Sequence, residues 1–105
     1  MIRGDVHAIA LPRRRGHVQQ GGRFAVIVQA DDLLALSTVV VCPTSRSALK
    51  ASFRPEIAVG GEKTLALCEM VRAVDIRSLG DQVGHLTLDE MATVDDALEL
   101  ILGLD

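Results

Sequence analysis

The sequence predicts a mainly β fold: a small, strongly curved antiparallel sheet or partly closed barrel, with one helix packed at its C-terminal end. Three observations predict it. Two apolar runs, residues 24–28 and 38–42, have strand length and no polar face, as strands buried on both sides do. Residues 53–59 alternate, with Phe53, Pro55, Ile57 and Val59 set between Arg54, Glu56 and Ala58. Only the end of the chain shows a helical period, so antiparallel pairing is expected rather than parallel strands joined by crossover helices.

Residues 5–11 form the expected first strand, closed by Pro12. Residues 12–22 carry three arginines, three glycines and two glutamines without an apolar period, which is a loop. Loops of that length in compact domains tend to be functional. The strand at 24–28 ends at Asp31-Asp32, and the strand at 38–42 is expected to stop at Pro43. Residues 44–52 are polar and basic, a second loop. The alternating segment 53–59 reads as an edge strand that tolerates a proline, and 60–63 as a turn. Residues 64–74 read as one more strand, bulged near Glu69. Thr87-Leu88-Asp89-Glu90 is a capping box, in which hydroxyl and carboxylate each satisfy a free backbone donor. Met91, Val94, Leu98, Ile101 and Leu102 then fall on one stripe for core or dimer packing, and Gly103 ends the helix.

Composition narrows the function. A chain of 105 residues with 49% apolar content is expected to be a single domain spanning 1–105. No apolar run reaches the ~18 residues of a membrane helix. The N-terminus lacks the layout of a signal peptide, so a cytoplasmic location with reduced thiols at Cys42 and Cys68 is expected. Two Phe, no Tyr and no Trp exclude a nucleic-acid surface built on a row of stacking aromatics. Net charge is −3, yet residues 1–54 hold eight Lys/Arg against three acids and residues 55–105 hold three against eleven. The first half can therefore supply a phosphate-binding face, or the asymmetry merely reflects solvated surfaces.

Several segments resemble one family in order. Arg3-Gly4-Asp5-Val6 resembles its opening Arg-Gly-acid-aliphatic motif. Residues 16–24, Gly-His-Val-Gln-Gln-Gly-Gly-Arg-Phe, resemble its glycine-rich loop ending in arginine and proline. Pro43-Thr44-Ser45 resembles its strand end, and Glu69-Met70-Val71-Arg72-Ala73-Val74-Asp75 its acid-Gln-Ile-Arg-Thr-Ile-Asp segment. The chain is similar to the MazF/PemK/Kid toxins of toxin–antitoxin systems, collinearly over nearly its whole length. The resemblance implies an SH3-like barrel, a homodimer, and cleavage of single-stranded mRNA without metal or cofactor. It also implies a cognate antitoxin whose acidic tail covers the RNA groove, with operator DNA reached only through that antitoxin. Two residues depart from the pattern: Val18 stands where an acid is usual, and Phe24 where proline follows the arginine. A same-fold toxin that poisons a protein such as DNA gyrase, without nuclease activity, is the alternative.

Metal-free RNA cleavage needs a base for the 2′-hydroxyl, an acid for the departing 5′-oxygen, and positive charge or donors on the phosphorane. Arg23 is the first candidate, forking onto phosphate, or else bridging loop and strand. Thr44 can donate its hydroxyl to a phosphate oxygen or cap backbone. Glu69 aligns with an acid that some relatives use as general base, but their partner arginine stands where this chain has Leu67; ion pairing with Arg72 or Arg77 is the other reading. An imidazole titrates near neutrality, so His17 can act as acid or base, or simply face solvent. Arg13, Arg14, Arg15, Arg46 and Lys50 can track the RNA backbone, while Gln19, Gln20 and Ser45 offer contacts to RNA. His7 and His85 are expected to be structural. No cluster at metal-ligand spacing is present in the sequence.

Overall fold

The computed structural model describes residues 1–10 and 23–104. Its strands are β1 (Asp5–Ile9), β2 (Phe24–Ile27), β3 (Thr38–Ser45), β4 (Glu56–Val59), β5 (Glu62–Ala66), β6 (Arg72–Asp75) and β7 (Leu79–His85), followed by helix α1 (Leu88–Leu102). All pairings are antiparallel, in the order β4-β5-β3-β2-β1-β7, with β6 also on β3.

β3 is the axis of the sheet. One of its edges pairs with β2, matching Val26 to Cys42. Its other edge is shared: residues 38–41 face β6, and Thr44 and Ser45 face β5. This division curls the sheet toward a half-barrel.

Alternation along β2 and β3 explains why their sequences show no polar face. Val26, Val28 and Cys42 join a core under α1, with Val94, Ala97 and Leu98 of the helix. Ala25, Ile27, Val39 and Val41 point the opposite way into a second core with Ile9 and Val74. Strands buried on both faces read as continuous apolar runs. Removing a fully buried member such as Ile27 would cost about 2–5 kcal/mol on truncation to alanine.

The capping box forms as the sequence predicts: Glu90 N–H donates to Thr87 Oγ1 at 3.1 Å, and Thr87 N–H to Glu90 Oε1 at 2.9 Å. The second Glu90 oxygen accepts from Ala58 N at 2.7 Å, so the cap also ties α1 to β4. Gly103 closes the helix with a φ of 66°, a conformation that glycine adopts without steric cost.

Four sequence expectations change. The first strand ends at Ile9, two residues early, and β4 begins at Glu56 rather than Phe53. β3 does not stop at Pro43 but runs on to Ser45. The single bulged strand at 64–74 is two strands separated by a 3-10 turn, Cys68–Met70, which carries Glu69. β7 is an edge strand with two glycines and mostly exposed side chains, and no apolar pattern marks it.

Pro43 links two of these differences. Odd-numbered residues of β3 direct their backbone groups toward β6 and β5, and Pro43 accepts there from Leu67 N at 2.8 Å. A residue with an N–H at 43 would donate back to the Leu67 carbonyl, as hydrogen-bonded pairs do. Proline has none. The Leu67 carbonyl accepts instead from Met70 N at 2.9 Å, which closes the 3-10 turn.

Candidate functional site

Arg23 stands immediately before β2, half-buried, and its carbonyl accepts from Ile9 N at 3.0 Å. The backbone of Arg23 is thereby fixed between β1 and β2. Thr44, on β3, is 8% exposed, and its hydroxyl donates to the Phe24 carbonyl at 3.2 Å. Thr44 is thus held one residue along from Arg23, across the β2–β3 pairing. On its other side Thr44 lies opposite Ala66, and the chain then turns through Leu67 into the segment bearing Glu69. Arg23, Thr44 and Glu69, distant in sequence, are carried on adjoining parts of one sheet.

The partner of Glu69 is neither Arg72 nor Arg77. Arg77 is occupied by Asp75, and Glu69 takes Arg54. Nε and a terminal nitrogen of Arg54 both donate to Glu69 Oε2, at 2.9 and 2.5 Å, while the other terminal nitrogen holds the Leu49 carbonyl at 2.8 Å. The Arg54 guanidinium also lies 5.6 Å from the Phe53 ring centroid. Hydrogen bonding to Glu69 pushes Arg54 above its ordinary pKa. Glu69 Oε1 is buried and has no hydrogen-bond partner among the described residues.

No motif in the sequence marks Arg54. It is 15 residues from Glu69, and no local spacing connects them. The arginine that meets Glu69 thus comes from a different segment, and Leu67 itself is buried.

The other predicted residues divide. Ser45 Oγ accepts from Ser47 N at 3.3 Å and Ala48 N at 3.1 Å, shaping the start of the basic loop. Arg46 pairs with Glu62 on the surface, and Lys50 is exposed. Arg13, Arg14, Arg15, His17, Gln19 and Gln20 lie outside the described residues. His7 Nδ1 bonds the Gly80 carbonyl at 3.0 Å, and His85 Nδ1 meets Asp5 at 2.8 Å. No group of three His, Cys, Asp or Glu able to hold a metal ion occurs among the described residues. No described helix is long and apolar enough to cross a membrane.

With this geometry in place, comparison with known proteins is specific. Residues 2–102 match the sequence profile of the PemK-like, MazF-like toxin of type II toxin–antitoxin systems. The chain belongs to that family. A Mycobacterium tuberculosis protein named as a candidate toxin is 42% identical over 106 residues, covering 99% of both chains. Among solved structures, a mycobacterial endoribonuclease in complex with its cognate antitoxin superposes with a TM-score of 0.82 at 19% identity, covering 100% of this chain and 97% of that one. MazF of Deinococcus radiodurans in complex with MazE gives 0.80 at 22% identity, covering 100% and 97%. The M. tuberculosis toxin MazF-mt6 gives 0.80 at 16%, covering 96% and 98%. At such identities these structures speak for the fold: the PemK/MazF-like toxin has the curled antiparallel half-barrel and C-terminal helix of MazF.

Proposed function

We propose that this PemK/MazF-like toxin is a metal-independent, sequence-specific endoribonuclease acting on single-stranded mRNA in the cytoplasm and neutralised by a cognate antitoxin. The observation that carries the reading is that Thr44 is held on the carbonyl of Phe24, the residue after Arg23, and lies opposite Ala66, three residues before the Glu69 that pairs with Arg54. The endoribonuclease and MazE-bound structures with the same fold support it.

In the proposed reaction a base takes the proton of the 2′-hydroxyl, and that oxygen bonds to the adjacent phosphorus. The P–O5′ bond breaks and the leaving oxygen receives a proton. The products are a 2′,3′-cyclic phosphate and a 5′-hydroxyl, and DNA is spared because it lacks the nucleophile. Arg23 neutralises charge on the phosphorane, since a guanidinium is too weak an acid to serve readily as a proton shuttle. Thr44 adds a hydroxyl donor once its one proton turns from the Phe24 carbonyl to the phosphate, Glu69 a carboxylate base, and His17 is the candidate for the second proton transfer. Arg13, Arg14, Arg15, Arg46 and Lys50 would follow the phosphate backbone, and Gln19, Gln20 and Ser45 would contact the RNA. The functional unit is a homodimer in this reading. Exposed Leu100, Leu102 and Leu104 at the end of α1 offer apolar surface for association.

The test is incubation of the pure protein with single-stranded RNA in EDTA, with chemical mapping of the ends. Cyclic phosphate and 5′-hydroxyl ends are expected, with Arg23→Ala slower by about 10²–10³-fold, the usual cost of losing a transition-state charge donor. Intact RNA with wild type would sink the reading.

A further inference from the structure

Resting on the ribonuclease reading, we infer that Arg54 is a positioning residue for substrate binding: its guanidinium staples the basic loop 46–54 to the turn that carries Glu69, so that the loop meets single-stranded RNA already shaped.

The loop leaves and rejoins the sheet at one place. Thr44, just before it, lies opposite Ala66, and the Ala66 N–H donates at 2.9 Å to the carbonyl of Pro55, just after it. A surface segment whose ends meet in this way is an Ω-type loop, a kind that is frequently functional. Arg46, Ser47, Lys50 and Ser52 are exposed along it, and Leu49 beside Lys50 is 82% exposed. No ladder holds such a backbone. Ser45 Oγ orders the entry by accepting from Ser47 N and Ala48 N, and Arg54 N donates to the Ala51 carbonyl at 3.0 Å to close a turn at the exit. Neither device fastens the middle of the loop to the body of the protein.

The Arg54 side chain does. One terminal nitrogen donates to the Leu49 carbonyl at 2.8 Å, while Nε and the other terminal nitrogen grip Glu69 Oε2. A single planar group thus joins the residue before Lys50, the exit of the loop, and the 3-10 turn Cys68–Met70. A guanidinium offers five donors in a rigid fork, whereas an ammonium is a point charge that cannot hold both ends in the same way. The turn is a firm base for the staple. Leu67 N donates to the Pro43 carbonyl, Met70 N closes back on Leu67, and Cys68 lies in the core beneath α1. Both partners are 24% exposed, so water competes with the ionic pair only in part. Among the described residues, no other hydrogen bond joins residues 46–54 to that turn.

The consequence is for affinity. A loop that its ligand must order gives up that ordering entropy on binding, and a loop ordered beforehand does not. Arg54 acts here through the backbone beside Lys50, not by contact with RNA.

The experiment compares wild type, Arg54→Gln and Arg54→Lys, with folding checked by circular dichroism. Its probe is a short single-stranded RNA that wild type cuts, made again with a 2′-deoxy nucleotide at the cut so that it binds without reacting. Affinity for this probe is read by fluorescence anisotropy, and the order of the loop by amide hydrogen exchange over residues 46–54. Both variants should exchange the loop amides about tenfold faster or more and bind the probe about tenfold more weakly. Arg54→Lys keeps the charge, so a loss there as large as in Arg54→Gln reports the missing staple and not a missing phosphate contact. Wild-type exchange in the folded variants overturns the inference, as does faster exchange with unchanged affinity. Wild-type affinity in Arg54→Lys alone also overturns it, because charge is then what matters. If Arg54→Gln does not fold, Arg54→Lys decides on the same two readouts. Each of these results leaves the ribonuclease reading standing, since wild type has cut the parent RNA. RNA left intact by wild type overturns both.

Discussion

His85 Nδ1 lies 2.8 Å from Asp5 Oδ1, joining the first and last strands of the sheet. Asp5 also accepts from Ile2 N at 2.9 Å and Gln82 Nε2 at 3.1 Å. Burial alone would raise the Asp5 pKa, but the Ile2 and His85 hydrogen bonds, with the charge of His85, hold it below the ordinary carboxylate value. A depressed folded pKa stabilises the protein above the unfolded value and loses that contribution as pH falls through the folded one. Asp5→Asn should therefore unfold at lower urea than wild type at pH 7, by about 1.5–3 kcal/mol for hydrogen bonds to a charged group. The gap should narrow below about pH 4, the ordinary carboxylate range. Equal midpoints at pH 7 would contradict the assignment.

Arg3 locks the opening segment onto the helix. Its Nε donates to the Val28 carbonyl and a terminal nitrogen to Asp95 Oδ1, both at 2.7 Å. Arg3→Lys keeps the charge but not the fork, and should lose about 1 kcal/mol in chemical denaturation. No loss would show that the contact is ornamental.

The cap at Thr87 should be worth about 1 kcal/mol, read by Thr87→Ala. Glu90→Ala should cost more, because it removes the reciprocal half of the cap and the bond to Ala58 together. The reverse ranking would mean that the tie between α1 and β4 contributes nothing.

Thr44→Val tests whether the hydroxyl serves only the backbone. Losing its bond to Phe24 should destabilise by about 1 kcal/mol. Under the proposed chemistry, cleavage should fall well beyond that, by about 10²-fold, and Thr44→Ser should restore most of it. A stability loss with unchanged cleavage would leave Thr44 a purely structural residue.

Cys42 and Cys68 are both fully buried, and the neighbouring Cys68 thiol, with burial, pushes the Cys42 thiol up. Neither should react with a thiol reagent such as DTNB in the native state, while both should titrate in denaturant. Rapid native labelling would show that this core opens readily.

What the sequence revealed follows from the range of the interactions. The helix was legible because Thr87 and Glu90 cap it within one turn. β2 and β3 were legible because burial on two faces leaves an unbroken apolar run. β7 was not, since an edge strand with Gly80 and Gly84 has little pattern to show. At the candidate site, the motifs named Arg23, Thr44 and Glu69, but the pairing of Glu69 was set by a fold that brings in Arg54. Two segments meeting only in three dimensions leave no spacing to read.

Pro43 turns this into a question of competition. One acceptor, the Leu67 carbonyl, has a single suitor because residue 43 cannot donate. Any replacement carrying an N–H introduces a rival to Met70, and the turn holding Glu69 becomes one of two conformers in exchange instead of the sole one. Pro43→Ala should thus lengthen the β3–β5 ladder and show new amide protection at position 43. It should also lower cleavage without touching a reacting group, in proportion to the time the acid spends out of place.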